Sequence, residues 1–237
     1  MRRNRLLIIC PTRERPEQLK VMLDSFYATK GENTQILVNV HKKDKRIKDY
    51  EQIGRDVCLF SEEEKTLVEV LNSLSRTFLN LYDYFGEVND DHVYITPGWD
   101  KKLINAIRTK GKGWGIACGE TKTKKPWNVQ RHPSACVISA NIIRTLGYFV
   151  YPEIKHIYTD CYLRDLADGI FRLFYTPEVI IEHRHYGNGM AKLDNNYKRV
   201  YSGEAWKQGA DAYWEWYKEH REDDIKKLKV EIKKGEK

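Results

Sequence analysis

Cysteine is scarce and poorly placed for cross-linking: Cys10, Cys58, Cys118, Cys136 and Cys161 make five, widely spaced and without a Cys-x-x-Cys pair. An odd, scattered set excludes a disulfide framework and a thiolate zinc site. Most of the five fall in apolar runs, where cysteine serves as a small core residue in a reducing compartment. Long hydrophobic runs are missing as well, and nothing approaches the ~20 apolar residues of a membrane span. Arg2, Arg3 and Arg5 do precede an apolar stretch, but Leu6 to Cys10 is too short for a signal-peptide core and stops at Pro11. Internal repeats and low-complexity linkers are absent. The expectation is a cytoplasmic, globular chain with one domain over residues 1–203 and a C-terminal helical extension over 204–237.

What is present suffices for a large core: 237 residues, 41% hydrophobic and 12% aromatic. The net charge of +7 favours an anionic partner, whether a sugar nucleotide, a nucleic acid or a membrane surface. Part of the excess lies in a Lys-rich tail that can equally be a solvated end.

The organising stretch is Phe85-Gly86-Glu87-Val88-Asn89-Asp90-Asp91-His92-Val93-Tyr94, followed by Thr96-Pro97-Gly98-Trp99-Asp100. A strand-like lead-in runs into two adjacent carboxylates, and a Pro-Gly breaker opens a new amphipathic segment, so the acids belong at a strand end. Such a pair can hold a hard divalent cation that keeps sites for water and substrate phosphate. It can also be a plain solvated turn.

Around it the chain alternates. Leu6 to Cys10 reads as a central strand buried on both faces, and Pro11-Thr12-Arg13-Glu14-Arg15-Pro16 leads into a helix carrying Leu19, Met22, Leu23 and Phe26. Backbone donors with Arg13 and Arg15 make an anion site there, or the arginines are exposed loop charges. Gln35 to Val40 is a second strand, His41 to Lys48 a basic loop, and a helix of about five turns is expected from Glu63 to Leu81 or Tyr82. A helix from about Trp99 to Thr109, strands over 114–118 and 135–139, and a short helix through Ile142, Ile143 and Leu146 follow. Gly119 to His132, with Lys122, Lys124, Lys125, Trp127 and Arg131, reads as a mobile loop near the site. Asp160 falls near a helix start, where an acid favours the helix dipole or serves as a base. Phe171 to Tyr175 and Val179 to Ile181 read as two strands, with His183 and His185 on one side as metal ligands or ordinary polar residues. In the helix from Ala205 to His220, Trp206, Ala210, Tyr213 and Tyr217 form a stripe expected to pack on the body, and Arg221 to Lys237 an exposed, fraying end. This alternation argues for an α/β fold with a mostly parallel central sheet flanked by helices, gathering ligands at the carboxyl ends of its strands.

These residues resemble the GT-A glycosyltransferases, in particular the family 2-like group. Ile8 to Pro16 is similar to that family's first strand and nucleotide-binding turn, and Asn89-Asp90-Asp91-His92 stands where its Asp-x-Asp metal motif belongs. Pro97-Gly98-Trp99, Ser134 to Ile138, Leu146-Gly147-Tyr148, His156 to Asp160 and Glu182-His183-Arg184-His185 continue the similarity over roughly residues 6–200. The resemblance implies that Pro11, Thr12, Arg13 and Arg15 help hold a nucleotide diphosphate. It implies Asp91 as principal ligand of Mn2+ or Mg2+, Asp90 or Asn89 near the ribose or a metal-bound water, and His183 or His185 completing the shell. Asp160 falls where inverting members keep the base. The donor it implies is a nucleotide diphosphate sugar, with a UDP-sugar expected. Two departures bear on this: Asn89 replaces the first acid of the fullest motif, and Asn39-Val40-His41 ends the second strand where an Asp often contacts the base.

The implied activity is metal-dependent, inverting hexosyl transfer to a hydroxyl of a glycan or of a hydroxymethylated base in DNA. Two rivals stay open: a non-catalytic basic nucleic-acid-binding module, and a nucleotidyltransferase or metal phosphohydrolase on a related scaffold.

Overall fold

Leu6, Leu7, Ile8, Ile9 and Cys10 are all 3% exposed or less, because the strand they form has parallel neighbours on both edges. The computed structural model describes residues 4–54, 58–122 and 133–235. Its strands are β1 (Leu6–Pro11), β2 (Thr34–His41), β3 (Cys58–Ser61), β4 (Tyr84–Glu87), β5 (His92–Tyr94), β6 (Ile116–Lys122), β7 (Val137–Ser139) and β8 (Leu173–His183). They form one sheet in the order β3-β2-β1-β4-β7-β6-β8-β5. Among the described residues four of its seven ladders are parallel, β2 with β3, β1 with β2, β1 with β4 and β6 with β8. The three antiparallel ladders, β4 with β7, β6 with β7 and β5 with β8, lie on one side.

The helices are α1 (Pro16–Thr29), α2 (Ile47–Ile53), α3 (Leu67–Thr77), α4 (Trp99–Lys110), α5 (Ala140–Leu146), α6 (Thr159–Gly169), α7 (Asn195–Val200), α8 (Gly203–Glu215) and α9 (Arg221–Gly235). Because side chains alternate along a strand, β1 feeds two cores. Leu6, Ile8 and Cys10 pack with α1 and α4, while Leu7 and Ile9 pack with α3, α5, α6, α8 and α9. Gly86 makes the crowded middle of the sheet possible. A Cβ there would stand 2.7 Å from the Cys136 carbonyl and would strike the Ile8 side chain.

The expected architecture is therefore present, with local corrections. The helix expected from Glu63 spans 11 residues, about three turns rather than five. It starts at a capping box, in which the Glu69 carboxylate accepts the Thr66 N–H at 2.8 Å and the Thr66 hydroxyl accepts the Glu69 N–H at 3.3 Å. The basic loop from His41 ends early, because α2 begins at Ile47. The two strands expected over 171–181 are one, β8. Its pairing jumps from Gly119 opposite Thr176 to Glu120 opposite Ile180, so Pro177 sits in a bulge and the strand continues past it.

The C-terminal end is no fraying appendage. Ile225, Leu228 and Ile232 are buried in the larger core, each adding roughly 1.5–3 kcal/mol of apolar burial. Of the aromatic stripe on α8, Tyr213 is buried, whereas Trp206 and Tyr217 are 47% and 39% exposed. The packed face runs through Gly209, Ala212, Tyr213 and Trp216. A π-helical turn over Trp216–His220 joins α8 to α9. All five cysteines are free, four of them buried. Among the described residues no helix is long and apolar enough to cross a membrane.

Candidate active site

The carboxyl ends of β1, β2 and β4 open onto one cleft. Pro11, Thr12, Arg13, Arg15, Asn89, Asp90, Asp91, His183 and His185 all line it. Asp160 lines the adjoining compartment, which shares Asn89, His156, His183 and Tyr201 with the first. The expected nucleotide, metal and base residues thus line two adjoining compartments.

The turn after β1 is held from outside it. Glu14, at φ 54°, gives its N–H to Asp44 at 2.9 Å, and Arg15 gives its N–H to the buried Tyr50 hydroxyl at 2.8 Å. Thr12 donates to Asp90 Oδ2 at 2.7 Å. The Arg15 guanidinium is 7% exposed and saturated with anions. It donates to Asp90 at 3.1 Å and, through two nitrogens, to Asp194 at 2.7 and 2.8 Å, while lying 3.9 Å above the Tyr197 ring. Burial opposes its charge, but the Asp194 hydrogen bond and the Asp90 charge prevail and raise its pKa. Arg13 is more open and pairs with the exposed Glu64. The cations free of deep burial at this mouth are Arg13, Lys65 and Arg199.

Asp90 and Asp91 lie between β4 and the edge strand β5 and are both nearly buried. Two adjacent carboxylates cannot ionise with equal ease. Burial and the Asp91 charge push Asp90 up to about 6, against the pull of Arg15. Asp91 goes the other way: burial opposes its charge, but His183, His92 and the Tyr197 hydroxyl hold it well below the carboxylate range. Tyr197 donates to Asp91 Oδ2 at 2.7 Å.

The other oxygen, Asp91 Oδ1, is buried without a hydrogen bond, and so are His183 Nε2 and His185 Nε2. His183 Nε2 lies 3.3 Å from Asp91 Oδ1 but is not aligned to bond it. The His92 ring stacks on His183 at 4.2 Å, and its Nδ1 is 3.7 Å from the same oxygen. Asp91, His92 and His183 form the group of described residues close enough to share one cation. A carboxylate oxygen and an imidazole nitrogen, both orphaned and converging, fit a divalent ion; Asp91 raises the His183 pKa against burial, so a cation bound there would take the place of a proton. His92 Nδ1 accepts the Asn89 N–H at 3.2 Å, while its Nε2 is likewise buried without a hydrogen bond. Burial keeps His92 and His185 neutral at physiological pH, lowering them to about 3 and about 4.

No protein-family model matches the sequence, and no curated protein matches it. Solved structures do. A mannosyltransferase, PcManGT from Pyrobaculum calidifontis in complex with GDP-Man and Mn2+, superposes with a TM-score of 0.56 over 90% of this chain and 75% of that one, at 13% identity. TarS from S. aureus, residues 1–349 with UDP-GlcNAc, gives 0.58 over 91% and 72% at 9% identity. A further TarS structure gives 0.60, with 43% of that chain covered. The chain has a GT-A-like glycosyltransferase fold.

Within this GT-A-like fold, α7 was not legible as part of the site. Asp194 precedes its six residues and caps the helix by accepting the Tyr197 N–H at 2.9 Å, and Tyr197 within it reaches Asp91. An Asp before Asn195-Asn196 is a helix-start signal that could have found it. Glu87 and His92 also belong to the site, although nothing in the organising stretch marks them out from their neighbours. Of the expected mobile loop, residues 123–132 lie outside the described residues, so Lys124, Lys125, Trp127 and Arg131 do too; Lys122 ends β6.

The Arg15 network sets a stability test. Arg15→Met would leave Asp90, Asp91 and Asp194 without their buried counter-charge, and breaking such a pair costs about 3–5 kcal/mol. Urea unfolding should show that loss, with part recovered by adding Asp90→Asn. An Arg15→Met protein as stable as the wild type would mean that the carboxylates do not need the guanidinium.

Proposed function

We propose that the protein is a metal-dependent glycosyltransferase that moves a hexose from a nucleotide diphosphate sugar to an acceptor hydroxyl with inversion. The observation that carries this is the convergence of Asp91 Oδ1 and His183 Nε2, buried and without hydrogen bonds, beside the arginine-bearing turn after β1. Asp91 and His183 would hold the cation, with His92 the third residue close enough to share it and His185, expected as a ligand, outside that group. An imidazole in the donor set favours Mn2+ over Mg2+, which prefers oxygen ligands. Such an ion would neutralise charge on the departing diphosphate.

The chain's own residues do the rest. Arg13 and, along the same mouth, Lys65 and Arg199 offer positive charge to the diphosphate. Pro11, Thr12, Asn89 and Asp90 shape the floor beneath the nucleotide, and Arg15 keeps Asp90 and Asp91 in place. Asp160 takes the proton of the acceptor hydroxyl as its oxygen bonds to the anomeric carbon and the bond from that carbon to the diphosphate oxygen breaks. Attack from the face opposite the leaving group inverts the centre. Residues 1–203 form the catalytic domain in this reading, and 204–237 an extension that completes its larger core. Five free cysteines suit a cytoplasmic setting.

A thermal-shift screen of UDP- and GDP-sugars, with and without Mn2+, tests this directly. A ligand held only by the native state at about a hundredfold above its Kd adds roughly 2.7 kcal/mol of stability. At least one nucleotide sugar should raise the melting temperature, and more so with the ion. If none does under either condition, the transferase reading fails, and metal-indifferent DNA binding would instead favour the nucleic-acid module.

A further inference from the structure

Asp160 shares its compartment with a second carboxyl group. Glu87, at the end of β4, is 6% exposed and lines the same depression. Burial and the neighbouring Asp160 charge lift its pKa to about 7, against the Ala135 N–H that reaches it. The facing wall is aromatic: Tyr158, Tyr201 and Trp206. Trp206 is 47% exposed, with Tyr158 edge-on at 5.7 Å and Tyr201 at 6.1 Å.

The wall is built at some cost. Tyr158 has φ 74°, a left-handed conformation that costs a residue with a Cβ about 1–2 kcal/mol. Its ring stacks on Tyr213 of α8 at 5.2 Å. Gly209 lets α8 close onto the preceding residue, since a Cβ there would stand 2.9 Å from Ile157 Cβ. The result is an indole held half open beside two carboxyl groups.

A pyranose has one face of C–H bonds and a rim of hydroxyls. The C–H face suits the electron-rich face of an indole, and the hydroxyls donate to carboxylates. Nucleobases stack on aromatic rings too, but their phosphates need free cations. Among the described residues lining this compartment the guanidinium is that of Arg164, already bonded to Asp165 at 2.9 Å, and Glu87 and Asp160 would repel a phosphate.

We propose that this compartment is an acceptor subsite for a saccharide, whose ring stacks on Trp206 and whose hydroxyls meet Glu87 and Asp160. The word acceptor rests on the sugar-transfer reading; the capacity to bind a saccharide does not.

The test is saturation-transfer NMR on the full chain with methyl glucoside, mannoside, galactoside and N-acetylglucosaminide. Wild type, Trp206→Ala and Trp206→Phe are compared, and nucleotide-sugar thermal shifts are run on the same samples. At least one glycoside should receive saturation at its ring C–H protons. Trp206→Ala should weaken it about tenfold, the scale of one lost aromatic contact, and Trp206→Phe should restore part. The half-exposed position predicts a folded Ala variant, checked by circular dichroism, with its nucleotide-sugar shift intact. No glycoside binding, or binding indifferent to Trp206, overturns the subsite while a retained nucleotide shift keeps the transferase. Trp206-dependent binding of a single-stranded oligonucleotide in place of glycosides also overturns it. Trp206-dependent glycoside binding without any nucleotide-sugar shift upholds the subsite and removes the transferase.

Discussion

Asp91→Asn should cut sugar transfer by about a thousandfold, which is roughly 4 kcal/mol of transition-state stabilisation and the scale of a lost metal-ion contribution. The side chain keeps its shape, and its amide oxygen can still accept the Tyr197 hydroxyl that Asp91 Oδ2 accepts at 2.7 Å. The change removes the anion that His183 faces at 3.3 Å, so the Mn2+-dependent part of the nucleotide-sugar thermal shift should vanish. The ligand-free protein should lose some stability at neutral pH, because His183, His92 and the Tyr197 hydroxyl favour the Asp91 carboxylate in the folded state, and relief of the repulsion from Asp90 offsets only part of that. Asp90 and Asp91 repel each other in a buried setting, and Arg15 retains Asp90 and Asp194. A variant that keeps its metal-dependent shift would remove Asp91 from the ion's coordination.

Asp160→Asn should separate binding from chemistry. General-base assistance is worth about a hundredfold to ten-thousandfold, and that much transfer should disappear. Donor affinity should stay close to wild type, because Asp160 stands in the adjoining compartment and not among the residues lining the nucleotide cleft. The fold should tolerate the change. Asp160 is half-buried in the first turn of α6, where its Oδ1 accepts the Cys161 N–H at 2.9 Å, a contact an Asn oxygen can also make. Wild-type turnover would sink the base assignment, and so would a product with retained anomeric configuration, read by NMR.

What could be read from the chain and what could not divides along physical lines. Leu6 to Cys10 was legible because a strand buried on both faces needs an unbroken apolar run, and all five residues are buried. The acid pair was legible because Asp90-Asp91 interrupts strand-like sequence. The three pieces expected to meet, the turn after β1, the acids and the late histidines, do line one cleft. By contrast β3 has four residues, among them an exposed Leu59, too few to show a period. The six residues of α7 carry no apolar repeat, and the importance of this helix lies in its cap Asp194 and in Tyr197 reaching partners 179 and 106 residues away. Residues 171–175 and 179–181 read as two strands because local sequence cannot tell a bulge from an end. No pattern could have paired Glu87 with Asp160, since Glu87 ends β4, Asp160 opens α6, and only tertiary packing brings the two to one compartment.

The π-turn at Trp216–His220 bears on how residues 203–235 can serve two surfaces at once. Each α-helical residue advances about 100° around the axis, and a π-turn accommodates one more residue than an α-turn would. That extra step lets Tyr213 and Trp216 upstream, and Ile225, Leu228 and Ile232 downstream, enter the same core. Regularised to an uninterrupted α-helix, the rod would be out of phase with itself: seating one half would swing the other half's apolar side chains toward water. The local irregularity is thus the splice that keeps both halves facing inward, leaving Trp206 at the far end to overhang the cleft.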